Sequence, residues 1–268
     1  MLTSALSTVL AQRPLGLIFD IDGTLSPIAP TPKEARLYPG VVELLQQARQ
    51  YARIAVVTGR AINSGAAMVD VEGITYFGTH GLEYCDGLPT ADNVRIAPEA
   101  LEYVAPGNYL LDLAEEKLAS LPGIIIERKC VGGSIHYRLC SDAEQTRATI
   151  LALLEEPAQR VHMQLKEGKY VIEIRPPVAI DKGWALHWFQ QRHALQGIIF
   201  AGDDRTDLDA VREIIRCQRA GMHAYAIVVE HRDTLPELRE SADVVVKEVE
   251  GMAKLLREMV GLLVQKGQ

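Results

Sequence analysis

Short runs of apolar residues without polar alternation recur at both ends of this chain, separated by amphipathic stretches. The runs lie at Leu15–Phe19, Arg53–Val57 and 74–77, and after residue 177 at 197–201, 224–229 and 243–246. Helices are predicted between them, at 41–51, 61–69, Lys182–Arg192, 206–219 and 250–264. Because a strand with one solvated face would alternate polar and apolar residues, these runs predict a parallel sheet covered by helices on both faces.

The middle of the chain has a different pattern. Alternating strand-like stretches occur at 124–129, 134–139, 161–166 and 170–175, with helices predicted at 108–121 and 142–155. The turn Glu167-Gly168 is expected to join the last two strands, and strand pairs with short glycine turns indicate antiparallel hairpins. The sequence therefore predicts an α/β core of residues 1–105 and 177–268, interrupted by an α+β module at 106–176.

Composition narrows the class of function. The chain has 28 Lys and Arg against 35 Asp and Glu, a net charge of -7 that argues against a general nucleic-acid binder. Its four cysteines form no C-x-x-C pair and indicate reduced thiols. The start MLTSALSTVLAQRPLG does not resemble a signal peptide, and no stretch reaches the ~20 apolar residues of a membrane span. We therefore expect a cytoplasmic protein without a membrane partner.

The strongest chemical signal is FDIDGTLSP, which follows the first apolar run. Its two carboxylates, Asp20 and Asp22, fall at the carboxyl end of a predicted parallel strand, the end where such sheets bind ligands. Two carboxylates this close repel each other, which raises a pKa or requires a cation, and Mg2+ is a hard cation that prefers oxygen ligands. The alternative is ordinary turn chemistry, with an aspartate capping the next helix.

A second acidic cluster, AGDDRTDLD, also directly follows an apolar run. Asp203, Asp204 and Asp207 would complete an oxygen-rich metal site together with the two carboxylates of the first motif. Capping of the following helix by Thr206 or Asp207 is the alternative. Three carboxylates within five positions exceed what capping requires, so we predict that at least one binds a metal.

Two weaker signals are VVTGR, which ends a predicted strand, and DKG, where a predicted helix begins. The hydroxyl of Thr58 and the amide of Gly59, followed by Arg60, could bind a phosphate oxygen near a helix N-terminus. Lys182 begins a helix, where the dipole disfavours a cation unless an anion offsets it. Taken singly, the alternatives are a helix cap for Thr58 and a surface lysine for Lys182.

In their order along the chain, FDIDGTLSP, VVTGR, DKG and AGDDRTDLD resemble the four motifs of the haloacid dehalogenase superfamily, and the resemblance covers the core from residue 15 to about 246. It implies a Rossmann-like core with helices on both faces and a mobile α+β cap inserted between the second and third motifs. It also implies a magnesium-dependent phosphatase.

The same resemblance assigns roles residue by residue. Asp20 would be the nucleophile and a Mg2+ ligand. Asp22 would protonate the leaving sugar oxygen and then deprotonate the hydrolytic water, and its backbone carbonyl would contact the metal. Thr58 and Lys182 would hold phosphoryl oxygens, and Asp203 would be a further metal ligand. The remaining acidic positions would support the metal site: Asp204 and Asp207.

Within that superfamily the chain is similar to the trehalose-6-phosphate phosphatases, in THGLE, IERKCVGGSIHYR, GKYVIEIRPPVAIDKGWAL and GDDRTD. This similarity implies that cap residues Glu127, Lys129 and Glu173 bind sugar hydroxyls, which need both donors and acceptors. A solvated sheet face is the alternative for these three side chains. The chain departs from the family at Leu208, where an acidic residue is frequent.

The resemblance leaves three functions open. The first is hydrolysis of trehalose 6-phosphate, and the second is hydrolysis of another sugar phosphate, such as mannosyl- or glucosyl-phosphoglycerate. The third is a non-catalytic domain that binds a sugar phosphate or a partner. A trehalose-6-phosphate synthase is a candidate partner, and we expect a monomer.

Overall fold

The computed structural model describes residues 3–31 and 34–267 and contains two compact units. One unit comprises the chain up to Arg95 together with the chain from Ile180 onward, and the other is Ile96–Ala179. The inserted unit thus begins before the predicted residue 106, because a 3-10 helix at Pro98–Tyr103 runs directly into its first long helix. Among the helices of the described residues, none is both long and apolar enough to cross a bilayer.

The N-terminal part of the core unit supplies the first strands of its sheet. Its elements are α1 Ser4–Leu10, β1 Leu15–Phe19, α2 Val41–Ala48, β2 Arg53–Val57, α3 Ile62–Val69, β3 Thr75–Gly78, β4 Glu83–Asp86 and β5 Arg95–Ile96. The bounds of β1 and β2 are those predicted. The short elements α1, β4 and β5 were not predicted, because each has too few residues to show a clear period.

The inserted unit is built on a separate antiparallel sheet. Its elements are α4 Val104–Leu118, β6 Ile125–Arg128, β7 Gly133–His136, α5 Ala143–Arg160, β8 Gln164–Gly168 and β9 Val171–Arg175. The strand order is β6-β7-β9-β8, so the predicted antiparallel pairing is confirmed.

The predicted hairpin turn within this unit was wrong by two residues. Gly168 pairs with Val171 in the β8–β9 ladder, so the turn is Lys169-Tyr170 rather than Glu167-Gly168. Tyr170 takes the left-handed backbone, with φ of 63°, that a tight hairpin requires and that sequence patterns assign to glycine.

The C-terminal part completes the core sheet. Its elements are α6 Lys182–Arg192, β10 Gly197–Gly202, α7 Asp207–Arg219, β11 His223–Glu230, α8 Pro236–Glu240, β12 Val244–Lys247 and α9 Glu248–Gly267. The sheet order is β12-β11-β10-β1-β2-β3-β4-β5, and the strands from β12 to β3 are parallel. The predicted α/β class is confirmed, with β4 as an antiparallel strand beside β3.

Successive residues of the central strand β1 enter cores on opposite faces of the sheet. Leu17 and Phe19 pack in the cluster that contains residues of α1, α2 and α9, whereas Ile18 packs in the cluster built with α6 and α7. All five residues of β1 are buried for this reason. The burial of both faces explains the absence of polar alternation in its sequence.

Substituting Phe200 in β10 tests how much the packing of this strand contributes to the free energy of unfolding. The side chain is fully buried in the α6–α7 core, so Phe200→Ala should leave a cavity and lower the free energy of unfolding by about 3–5 kcal/mol. Urea denaturation measures this change. The control is Ile28→Ala at a side chain that is 67% exposed, where a change within about 0.5 kcal/mol is expected. Equal effects of the two variants would contradict the assigned packing.

Candidate active site

Asp20 lies directly after β1 at the centre of the core sheet and is buried. Its backbone amide donates to the carbonyl of Ala201 in β10 at 2.9 Å, which fixes the residue beyond the last strand pair. Gly23 then turns the chain with φ of +86°, and a Cβ there would lie 2.1 Å from the Asp203 carboxylate. The glycine of the first motif is therefore required by both its backbone angle and the close approach of the second acidic loop.

The ammonium of Lys182 connects the two acidic motifs. Its Nζ lies 2.9 Å from Oδ1 of Asp20 and 2.7 Å from Oδ1 of Asp207, and the side chain is 2% exposed. This burial overturns the surface-lysine alternative. Lys182 begins α6, where the helix dipole disfavours a cation, and the two carboxylates provide the negative charge that offsets this effect.

The other oxygen of Asp207 organises the second acidic loop. Oδ2 accepts hydrogen bonds from the backbone amides of Asp203 at 2.9 Å and Asp204 at 3.0 Å. Asp207 is the first residue of α7, and its carboxylate accepts hydrogen bonds from the loop amides and from Lys182. Thr206 occupies the N-cap position without a side-chain cap bond, so capping by Thr206 is contradicted.

Burial and charge repulsion act together on these carboxylates. Burial raises the pKa of Asp20 well above its ordinary value, with Lys182 acting in the opposite direction. Burial and the charge of Asp20 raise the pKa of Asp203 to about 9. The pKa of Asp207 is also raised, chiefly by burial. Burial by itself would lower the pKa of Lys182, but the charges of Asp20 and Asp207 outweigh it and raise that pKa.

Asp204 differs from its neighbours in its hydrogen bonds. Its Oδ1 accepts from the amide of Thr206 at 2.8 Å and from the Thr206 hydroxyl at 2.7 Å. Burial would raise the pKa of Asp204, but Lys182 and these hydrogen bonds lower it. Asp204 thus differs from Asp20, Asp203 and Asp207, whose pKa values are raised.

The three buried carboxylates suit a hard cation. Oxygens of Asp20, Asp203 and Asp207 all lie within 4.8 Å of one another. Oxygen donors and raised pKa values describe a site whose negative charge a divalent cation would offset. Metal binding stays a prediction for all five aspartates, and the side chain of Asp22 has a different partner.

Asp22 pairs with Arg60 through two parallel contacts. Nε and Nη2 of the guanidinium donate to Oδ2 and Oδ1 of the carboxylate, both at 2.6 Å. Arg60 has a 10% exposed side chain and Asp22 a 36% exposed one. The sequence predicted Arg60 as a substrate-binding residue, and the structure additionally gives it a carboxylate to orient.

Thr58 and Gly59 form the turn after β2. The side chain of Thr58 is buried, and its Oγ1 accepts from the amide of Arg60 at 3.2 Å. The helix α3 begins at Ile62 with Ala61 in the N-cap position, so the interpretation of Thr58 as a plain cap is contradicted. The turn brings this hydroxyl to the same edge of the sheet as Asp20.

Two contacts at this edge were not predicted from the sequence. The Thr24 hydroxyl donates to Oδ1 of Asp203 at 3.0 Å, and Nε2 of His231 donates to the carbonyl of Gly23 at 2.6 Å. Nδ1 of His231 also lies 2.9 Å from the Glu248 carboxylate. The threonine of the first motif was available as a signal, whereas a histidine in the loop after β11 carries no local signature.

The inserted unit has its own polar cluster on its antiparallel sheet. Glu127 and Glu173 both pair in register with Ser134, one on either side of β7. Nζ of Lys129 lies 3.3 Å from Oε1 of Glu173, and Nε2 of His136 lies 3.3 Å from Oε2 of Glu127. Lys129 is only 6% exposed, so a fully solvated face does not describe this cluster.

The chain is similar in sequence to known proteins of one family. A family model described as trehalose-phosphatase matches residues 18–250. Proteins named trehalose-phosphate phosphatase from Mycobacterium tuberculosis and Mycobacterium leprae are 34% and 32% identical, over 84% and 86% of this chain. The chain spans 56% and 54% of the length of these relatives.

Solved structures share the fold. The C-terminal domain of trehalose-6-phosphate phosphatase from C. albicans matches with a TM-score of 0.75 and 18% identity, covering 96% of this chain and 95% of that one. A haloacid dehalogenase-like hydrolase from Bacteroides thetaiotaomicron matches with a TM-score of 0.63 and 16% identity, covering 92% and 100%. The family model spans most of the chain and shows that the chain belongs to the trehalose-phosphatase family.

Proposed function

We propose that this chain hydrolyses trehalose 6-phosphate to trehalose and inorganic phosphate, with Mg2+ as cofactor and an aspartyl phosphate on Asp20 as intermediate. One observation carries the chemistry: Asp20 is a buried carboxylate at the end of the central strand, 2.9 Å from the ammonium of Lys182. Family membership and the names of the mycobacterial relatives support the choice of sugar phosphate.

The reaction proceeds in two displacements at phosphorus. A carboxylate oxygen of Asp20 attacks the phosphorus, and the bond from phosphorus to the sugar oxygen breaks. Asp22 gives its proton to that oxygen, so trehalose leaves as the alcohol. Water then attacks the phosphorus of the aspartyl phosphate and gives a proton to Asp22. The bond from phosphorus to the Asp20 oxygen breaks, phosphate departs, Asp20 is again a carboxylate and Asp22 is again protonated.

The remaining residues hold the transferring group. Lys182 and the turn at Thr58 and Gly59 donate to phosphoryl oxygens, where negative charge is greatest in the transition state. Asp20, Asp203 and the backbone carbonyl of Asp22 would hold the Mg2+. When bound, this ion neutralises charge on the same oxygens. Arg60 orients the Asp22 carboxylate through its paired hydrogen bonds.

The sugar is recognised by the inserted unit in this proposal. Glu127 and Glu173 supply acceptors, and Lys129 supplies donors, for the hydroxyl groups of trehalose. The pairing of both glutamates with Ser134 and the contact of Lys129 with Glu173 support a common ligand, and the Lys129 ammonium carries three N–H donors. The monomeric state and the synthase partner stay predictions.

Replacing the nucleophile tests the chemical step. Asp20→Asn should abolish phosphate release from trehalose 6-phosphate, because an amide does not attack phosphorus, while the protein remains folded. Phosphate release and thermal melting are measured together. Asp92→Asn, at an exposed loop position, is the matched control and should retain full activity. Undiminished turnover by folded Asp20→Asn would reject the aspartyl-phosphate mechanism.

Metal removal tests the cofactor. EDTA should stop phosphate release and added Mg2+ should restore it. Mg2+ should also raise the melting temperature of the wild-type protein, because a ligand that binds only the folded state stabilises it. Asp203→Asn should weaken or remove this increase. Activity that persists after EDTA treatment and dialysis would be incompatible with a required metal.

Substitutions in the inserted unit test the substrate. Glu127→Ala, Lys129→Ala and Glu173→Ala should each lower kcat/KM for trehalose 6-phosphate by at least about tenfold, since each loses a charged hydrogen bond to the sugar. Turnover of p-nitrophenyl phosphate, which has no sugar, should change little. Glu116→Ala on the exposed surface of α4 is the control.

The same assay distinguishes the other candidate substrates. Equal losses on both substrates would indicate structural damage, and no loss on either would show that the three side chains do not bind the substrate. Faster phosphate release from mannosyl- or glucosyl-phosphoglycerate than from trehalose 6-phosphate would reject the proposed substrate and retain the phosphatase.

A further inference from the structure

The segment between β3 and β4, Gly78–Glu83, contains an unusual backbone. Thr79 and His80 are consecutive residues with side chains, and both take left-handed backbone, with φ of 48° and 59°. Such conformations persist only where the surrounding contacts determine them. We name this segment, which includes the THGLE motif, the brace.

The brace binds the backbone of the Thr58–Gly59–Arg60 turn. The amide of His80 donates to the carbonyl of Thr58 at 2.9 Å, and the amide of Thr79 donates to the carbonyl of Arg60 at 2.8 Å. The His80 ring lies against Gly59, where an added Cβ would be 2.7 Å from its Cε1. The brace therefore fixes the Thr58–Gly59 peptide and the Arg60–Ala61 peptide.

The Glu83 carboxylate connects the brace to helix α3, which begins just after the Thr58 turn. Oε1 accepts from the Thr79 hydroxyl at 2.9 Å and from the amide of Ile62, the first residue of α3, at 2.8 Å. The side chain is 4% exposed. A Cβ at Gly78 would lie 2.8 Å from this oxygen and 2.6 Å from the Ile62 nitrogen, so the close approach requires glycine.

The brace also contacts the helix that carries Lys182. Gly81 has φ of +107°, and a Cβ there would lie 3.2 Å from the carbonyl of Asp181 and 3.3 Å from the Ala185 side chain. The brace therefore packs against the start of α6 as well as against the Thr58 turn. These two elements hold the proposed phosphoryl ligands.

We propose that Glu83 is a positioning residue for phosphoryl binding. Its Oε1 oxygen fixes Thr79 and the start of α3, and thereby fixes the turn that presents the Thr58 hydroxyl and the Gly59 amide to a phosphoryl oxygen. Donors that are already in place need no reorganisation when the anion arrives, which is why their alignment matters. This inference rests on the proposed function, because it assigns the turn to phosphate.

The position of Asp22 depends on the same turn. Arg60 is the last residue of the turn, its carbonyl is held by Thr79, and its guanidinium holds the Asp22 carboxylate. Loss of the Glu83 contacts should therefore affect both binding of the phosphoryl group and protonation of the leaving oxygen. A residue that only stabilised the fold would affect neither in the folded fraction.

The test measures the inhibition constant of inorganic phosphate against hydrolysis of p-nitrophenyl phosphate. Glu83→Ala should raise this constant at least about tenfold, because displaced donors bind the anion less well. Glu83→Gln retains an oxygen acceptor at Oε1 and should stay within about threefold of wild type. Glu72→Ala, at an exposed position in the same unit, is the control and should not change.

Two further variants keep the test decisive. Thr79→Val removes one hydroxyl from the network and preserves the side-chain shape, so it should raise the phosphate constant about threefold or more even if Glu83→Ala does not fold. In a Thr58→Ala background, Glu83→Ala should have a smaller effect than in wild type, since both act through one turn. Additive effects would contradict the coupling.

The outcomes separate this inference from the proposed function. If the wild-type protein neither hydrolyses p-nitrophenyl phosphate nor binds phosphate, the proposed function fails and the inference fails with it. If the wild-type protein binds phosphate and folded Glu83→Ala binds it equally well, the inference is overturned and the proposed function stands. A constant for Glu83→Gln as high as that for Glu83→Ala would also overturn it.

Discussion

The buried ammonium of Lys182 between Asp20 and Asp207 is the interaction on which the rest of the site depends. Buried carboxylates at this spacing repel each other, and removing a cation from such a group leaves uncompensated charge. Because Lys182 is the first residue of α6, the ion pairs also fix where that helix meets the sheet. The second oxygen of Asp207 accepts from the Asp203 and Asp204 amides, so the ion pair between Lys182 and Asp207 also fixes the second acidic loop.

The topology explains why residues far apart in sequence meet at this ammonium. The chain runs from β1 to β2 and β3 on one side, and β10, β11 and β12 extend the sheet on the other. The loops after β1 and β10 therefore diverge from a common edge, where ligands bind in sheets of this kind. Glycine permits the close approach of these two loops, since a Cβ at Gly23 would lie 2.1 Å from Oδ2 of Asp203.

The inserted unit is built on an antiparallel sheet, which suits the recognition of sugar hydroxyls in the proposed reaction. Its antiparallel strands place Glu127, Ser134 and Glu173 in one cross-strand row, and Lys129 is buried beside it. A row of acceptors with one donor group is suited to neutral hydroxyls, whereas the core supplies cations and amides suited to a phosphoryl group. The division of the chain into two units thus corresponds to two kinds of recognition in the proposed reaction.

The sequence by itself determined the α/β class, the strands β1 and β2, and the helix α6 to the residue, because burial of both strand faces and helical periodicity are local patterns. It also indicated the acidic residues of both motifs. Only the tertiary structure decided which carboxylate meets which cation: that Lys182 contacts Asp20 and that Arg60 contacts Asp22. Only the tertiary structure showed that Glu83 accepts hydrogen bonds from Thr79 and Ile62, next to the Thr58 turn. These contacts join separate elements, and their geometry follows from how strands and helices pack rather than from any spacing along the chain.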